Sequence, residues 1–150
     1  MSHWLMKSEP DAYSIDDLKR DRRVPWDGIR NYQARNMIRD EMQQGDKAFF
    51  YHSSCDVPAI VGLMKIASRP YADPTQFDSR SKYFDPKSTT DEPRWFLVDV
   101  AFQRKLKRPI TLQELKEHPG LSGFRLTRRG NRLSVFPVSE DHWNLVLGLE

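Results

Sequence analysis

The segment that most constrains the fold is residues 58–67, PAIVGLMKIA, in which Lys65 is the single charged side chain. It falls well short of the roughly 20 apolar residues that span a bilayer. It is also nearly all apolar, as expected for a strand covered on both faces. A fold that holds such a strand must supply cover on two sides. More strands flank it. Residues 46–53 put Ala48, Phe50 and His52 on one face and Phe49, Tyr51 and Ser53 on the other. Residues 94–104 alternate Phe96, Val98, Val100 and Phe102 with Trp95, Leu97, Asp99 and Ala101. Short strands are expected over residues 3–7 and 132–138.

Helix signals lie between the strands. Ser14 precedes Asp16 and Asp17, a cap followed by first-turn acids that complement the helix dipole. Over residues 31–42, Ala34, Met37, Ile38 and Met42 keep helical spacing, and Gly45 follows as a stop. Thr111-Leu112-Gln113-Glu114 fits a capping box, and its short helix ends at Pro119-Gly120. Ser139-Glu140-Asp141 starts a last helix running to Leu147. Clustered strands with interspersed helices predict an α+β fold with a mixed sheet or small barrel. Residues 70–94 carry Pro70, Pro74, Pro86 and Pro93, but also Tyr71, Phe77, Tyr83 and Phe84, which a disordered tether does not need. They read as a partly ordered insertion within one domain of 150 residues.

Composition narrows the function classes. A lone Cys55 excludes an internal disulfide framework and a thiolate zinc cluster. His3, His52, His118 and His142 are scattered without metal-ligand spacing, so no metal and no cofactor is expected. There is no G-x-S-x-G elbow, no Walker A run and no G-x-G-x-x-G. No membrane segment or signal-peptide core is visible, and a cytoplasmic location is expected. The 24 Lys and Arg exceed the 21 Asp and Glu only slightly, but the arginines are segregated. They gather near residues 20–23, at Arg30, Arg35 and Arg39, at 104–108, and at Arg125, Arg128, Arg129 and Arg132. Such patches fit an anionic partner or a set of solvated faces.

Three places concentrate polar groups. Lys7-Ser8-Glu9 closes the first strand, where Pro10 turns the chain out of the sheet. Residues 25–35, PWDGIRNYQAR, combine an aromatic plate at Trp26, a helix start at Asn31, and the guanidiniums of Arg30 and Arg35. Those parts can stack a base, read its edge and hold its phosphate. Equally, Trp26 can cover the core while the arginines pair with Asp27, Asp40 and Glu41. The basic turn Arg128-Arg129-Gly130-Asn131-Arg132 suits phosphate contacts or plain solvation. Tyr51-His52-Ser53 can line a pocket or merely finish a strand.

In combination and in order, Trp4-Leu5-Met6-Lys7-Ser8-Glu9-Pro10, residues 26–35, Phe50-Tyr51-His52-Ser53 and residues 128–135 resemble the EVE domain family. This is a branch of the PUA-like superfamily that also contains YTH domains, and the likeness is to its stand-alone bacterial members. The resemblance implies a PUA-like mixed β pseudo-barrel of five to six strands flanked by short helices. It implies a non-enzymatic domain that binds RNA or DNA and accommodates a nucleobase, modified in many members. By position, Lys7, Ser8, Glu9, Trp26, Gly28, Asn31 and Tyr32 are expected to line the base pocket, with Tyr51, His52 and Ser53 opposite. Arg30, Arg35, Arg129 and Arg132 are expected on phosphates. A monomer is the favoured state. The alternatives are an enzyme using Glu9 or Asp27 as general acid or base, and a sensor of small anions.

Overall fold

Alternating side chains build the molecule outward from one mixed sheet. In the computed structural model, which describes residues 1–150, β1 (His3–Ser8) leads to α1 (Ile15–Asp21), β2 (Arg23–Pro25) and α2 (Tyr32–Asp40). Next come β3 (Lys47–His52), β4 (Ala59–Ile66), β5 (Tyr71–Ala72) and β6 (Phe96–Leu97). The chain ends with β7 (Asp99–Thr111), α3 (Leu112–Glu117), β8 (Val135–Val138) and α4 (Glu140–Leu147). The main sheet runs β2-β7-β4-β3-β1-β8, a curled half-barrel, while β5 and β6 pair apart from it. β1 lies parallel to β3, with Trp4 beside Ala48 and Ser8 beside His52, and the other pairings are antiparallel. The expected mixed α+β architecture is therefore present.

Both faces of the sheet are covered, as the apolar character of β4 requires. One face buries Trp4, Met6, Phe50 and Met64 against α1 and α2. The other buries Leu5, Phe49, Tyr51 and Ile60 against α3, α4 and the segment around Phe124. Because strand side chains alternate, adjacent residues such as Leu5 and Met6 enter different cores. At Gly62, a methyl would stand 2.4 Å from Ile15 Cδ1, so glycine lets α1 sit close on β4. The helix starts are as expected. Ser14 forms a full capping box with Asp17, and Asn31, Thr111 and Ser139 each accept a backbone N–H three residues on.

Several boundaries differ from expectation. The predicted strand 94–104 is broken at Val98, and β7 continues to Thr111. The run Arg104-Lys105-Leu106-Lys107-Arg108 reads as polar, yet Leu106 and Ile110 point inward while their neighbours face water. Two register shifts in the β4–β7 ladder bend the strand there. The last strand starts at Val135 and not at residue 132, although Lys7 N–H still donates to Ser134 O. α2 ends at Asp40, and Gly45, with φ +101°, belongs to the turn beyond it.

Candidate functional site

The end of β1 is a junction. Lys7 N–H donates to Ser134 O, Ser53 N–H donates to Ser8 O, and Ser8 Oγ donates to Tyr13 O at 2.6 Å. Three separate segments are thereby fixed around Lys7-Ser8-Glu9, one rim of a cleft. The facing wall leaves β2 at Pro25. Trp26 N–H donates to Val98 O, and the indole meets the Phe50 ring edge-on at 5.5 Å. Trp26 is only 7% exposed, so it both covers the core and borders the cleft.

A third wall comes from the chain between β5 and β6. Asp73, fully buried, accepts from Gly28 N–H, Thr75 N–H, Thr75 Oγ1 and Arg30 Nη1. Arg30 uses every donor it owns: Nε and Nη2 on Tyr83 O, Nη1 on Ile29 O and Asp73, and Nη2 also on Thr75 Oγ1. Gln76, also buried, donates to Asp73 O and Trp95 O, and Trp95 Nε1 donates to Asp85 at 2.8 Å. This strap lays the Tyr83 ring on Gly28. A Cβ at that glycine would stand 2.5 Å from Tyr83 Cζ, and φ there is +83°.

Between the walls lies a cleft of about 660 Å³, bordered by Lys7, Ser8 and Glu9, by residues 24–29, and by Lys82, Tyr83 and Ser134. Ala12 and Tyr13 complete its rim. Two of its charged side chains lie over aromatic rings, Lys7 over Phe136 and Lys82 over Tyr83. Lys7, Glu9, Asp27 and Lys82 enter no ion pair, whereas Arg20, Arg23, Arg104 and Arg108 at other surfaces are paired. Burial lowers the Lys7 ammonium. Burial, helped by the charge of Asp73, raises the Asp27 carboxyl. For Asp73, burial alone acts upward, but its hydrogen bonds outweigh that and hold the carboxyl below the usual range.

Of the expected pocket residues, Lys7, Ser8, Glu9, Trp26 and Gly28 border this cleft, and the others are placed elsewhere. Asn31 is occupied as the α2 cap. Tyr32 is 51% exposed and stacks on Trp95 at 4.8 Å, with the Arg35 guanidinium also 4.8 Å from its ring centre. Tyr51 faces the second core, and burial there pushes its phenol up to about 12. His52 Nε2 accepts Ile15 N–H at 3.1 Å, satisfying a free donor at the start of α1, and burial lowers its pKa. His52 borders a second, smaller depression with Asp16 and Lys105. Ser53 holds β3 to β1 through its backbone.

The expected phosphate ligands also separate. Arg30 departs from that expectation because its donors are consumed inside the strap. Arg35 donates to Arg94 O and Asn36. Arg129 and Arg132 are exposed and unpaired on the loop leading to Ser134. Sequence reasoning missed Lys82 and Tyr83 as cleft residues. The visible signal was the aromatic content of the 70–94 insertion.

No three His, Cys, Asp or Glu side chains gather as a metal cage, and no helix is long and apolar enough to cross a membrane. The sequence matches the EVE domain over residues 2–149. It is 45% identical to human thymocyte nuclear protein 1 over 169 residues, covering 99% of this chain and 74% of that protein. The fold matches a crystal structure from Pseudomonas syringae with TM-score 0.95 and 47% identity, covering 99% of both chains. It matches human THYN1 crystallised in complex with DNA containing 5-methylcytosine with TM-score 0.91 and 44% identity, over 99% of this chain and 97% of that one. The chain belongs to the EVE domain family.

Proposed function

We propose that this protein is a nucleic-acid reader that seats one extruded base, a modified cytosine above all, in the cleft between the end of β1, Trp26 and Tyr83. The cleft carries this reading. Its volume of about 660 Å³ lies within the roughly 300–1,000 Å³ of small-molecule sites. It offers aromatic surface on two walls and unpaired polar groups between them, the combination that stacks a flipped base and reads its edge. The DNA complex of the human relative, 44% identical, points to a DNA ligand. Arg129 and Arg132, exposed and unpaired on the loop that leads to Ser134 at the cleft rim, neutralise the flanking phosphates and make binding fall with salt.

Fluorescence anisotropy tests this with short DNA and RNA oligonucleotides carrying cytosine or 5-methylcytosine, at two salt concentrations. The expected result is tighter binding to the methylated DNA, weakened about 5- to 150-fold by Tyr83→Ala, the equivalent of about 1–3 kcal/mol of stacking. Trp26→Ala serves as a second variant where it remains folded. Binding that ignores both the methyl group and Tyr83→Ala overturns the reading. One observation favours a second reading, an enzyme: an unpaired carboxyl, Asp27, stands on the cleft wall, where a general acid or base would act. Release of free base from a modified oligonucleotide, abolished by Asp27→Asn, would replace the reader by that enzyme.

A further inference from the structure

We infer that Asp27 selects the base by its edge, accepting a hydrogen bond from an exocyclic amino group, so that the cleft admits cytosine or 5-methylcytosine and rejects thymine. The inference rests on the base-reader reading above and assigns its specificity to one side chain.

Asp27 directly follows Trp26, and both border the cleft. Its carboxylate takes no ion-pair partner and no hydrogen bond from another residue. The nearest available cation in sequence is Arg30, three positions on, and that guanidinium is fully spent on Asp73, Thr75 and backbone carbonyls. One buried aspartate thus occupies the arginine, and a second aspartate beside the cleft stays free. Asp27 is exposed at the edge of the cleft, so in the free protein water serves its carboxylate, and a ligand amino group would take the place of that water. Desolvation by the cleft wall, then the charge of Asp73, raise its carboxyl, while the charges of Arg30 and Lys82 act the other way.

A carboxylate can only accept. Cytosine presents an amino donor at the position where thymine presents a carbonyl oxygen. Set against Asp27, the amino group makes a charge-assisted hydrogen bond, whereas the thymine oxygen opposes one acceptor with another. Lys7 and Lys82 supply donors for the acceptors elsewhere on the cytosine ring. Shape has no power here, because 5-methylcytosine and thymine carry the same methyl group on the same ring. A pocket that recognises the methyl through aromatic contact alone would accept thymine equally. Edge reading by a fixed acceptor separates them, because a site built around a hydrogen bond rejects ligands that cannot make it.

The test uses single-stranded oligonucleotides identical except for one 5-methylcytosine, cytosine or thymine, so that unpairing costs are matched. The wild-type protein is expected to bind 5-methylcytosine at least about tenfold more tightly than thymine. Asp27→Asn, whose amide both donates and accepts, is expected to bring the two ligands within about threefold of each other. A thermal melt confirms that the variant is folded. Equal binding of the two ligands by the wild type, or discrimination retained by Asp27→Asn, overturns the inference. Tyr83→Ala runs in parallel to separate the two levels. If it still weakens binding of 5-methylcytosine, the reader stands and only the role of Asp27 falls. If it has no effect, the base-reader reading fails and this inference fails with it.

Discussion

Asp27 precedes Gly28 and Asp73 accepts the Gly28 N–H, and the surroundings of the two carboxylates differ in each respect that sets their roles. Asp73 is fully buried, accepts four hydrogen bonds and is held below the ordinary carboxylate range. Asp27 borders open space, accepts nothing from its neighbours and is raised. The same contrast divides the regions they belong to. The strap is closed on itself: Arg30, Gln76 and Trp95 direct their polar groups inward. The cleft beside it leaves Lys7, Glu9, Asp27 and Lys82 unpaired. A rigid, self-satisfied element therefore presents a wall, Tyr83, to a site whose own charges await a partner.

Breaking the strap is expected to have the largest effect. Asp73→Asn leaves the Arg30 guanidinium, 22% exposed, without its counter-charge. Loss of one partner from a buried pair costs about 3–5 kcal/mol, readable as a fall in the urea midpoint at constant slope. The pH dependence has a definite sign. A depressed folded pKa contributes stability above the unfolded value of about 3.9, and that contribution is lost as pH falls through the folded value. Wild-type stability should decline in that acid window, and the variant should show a flatter profile there.

Gly28→Ala attacks the join between the two regions. The left-handed φ of +83° and the overlap with Tyr83 together cost about 1–3 kcal/mol, measured by thermal unfolding. Binding of a methylated oligonucleotide should weaken as well, because the displaced ring is a wall of the cleft. A variant as stable as wild type would mean that Tyr83 is not seated by this contact.

Asp27→Asn sharpens the comparison by reversing the sign. A raised folded pKa means that the ionised carboxylate destabilises the fold above that pKa, with Asp73 opposing it and Arg30 and Lys82 assisting it. Removing the charge should leave melting at neutral pH unchanged or slightly higher, and any gain should vanish as the pH falls into the carboxylate range. A large loss of stability would show that Asp27 is a structural residue like Asp73. The smallest stability effect belongs to Arg129→Gln and Arg132→Gln, each within about 0.5 kcal/mol of wild type. Each should instead lower the slope of log affinity against log salt by about 1.

Much of this was legible in the chain. The apolar run of β4 required cover on both faces, and Ser14, Asn31 and Ser139 marked helix starts that the structure keeps. β7 was read too short because Leu106 and Ile110 alternate with Arg and Lys, a pattern that resembles a solvated run until a partner strand covers one face. In the candidate site, Lys7, Ser8, Glu9, Trp26 and Gly28 were marked by a strand end and a Pro-Trp-Asp-Gly turn. Tyr83 was not, because its place depends on Asp73, Arg30 and Gly28, contacts between residues 43 to 55 positions apart that no local period encodes. Arg30 shows the opposite failure. A guanidinium beside an aromatic turn looks available in sequence, and its full set of internal acceptors appears only in three dimensions.

The most direct test of the central claim is a titration of the 15N-labelled protein with a 5-methylcytosine oligonucleotide, followed by backbone and indole NMR shifts. The cleft account predicts that the largest changes fall on the Trp26 indole, Gly28, Ser8, Lys82 and Tyr83, with smaller ones at Arg129 and Arg132. Changes centred on His52 and Lys105, or on the exposed face of α2 at Tyr32 and Arg35, with the cleft signals unmoved, would contradict it.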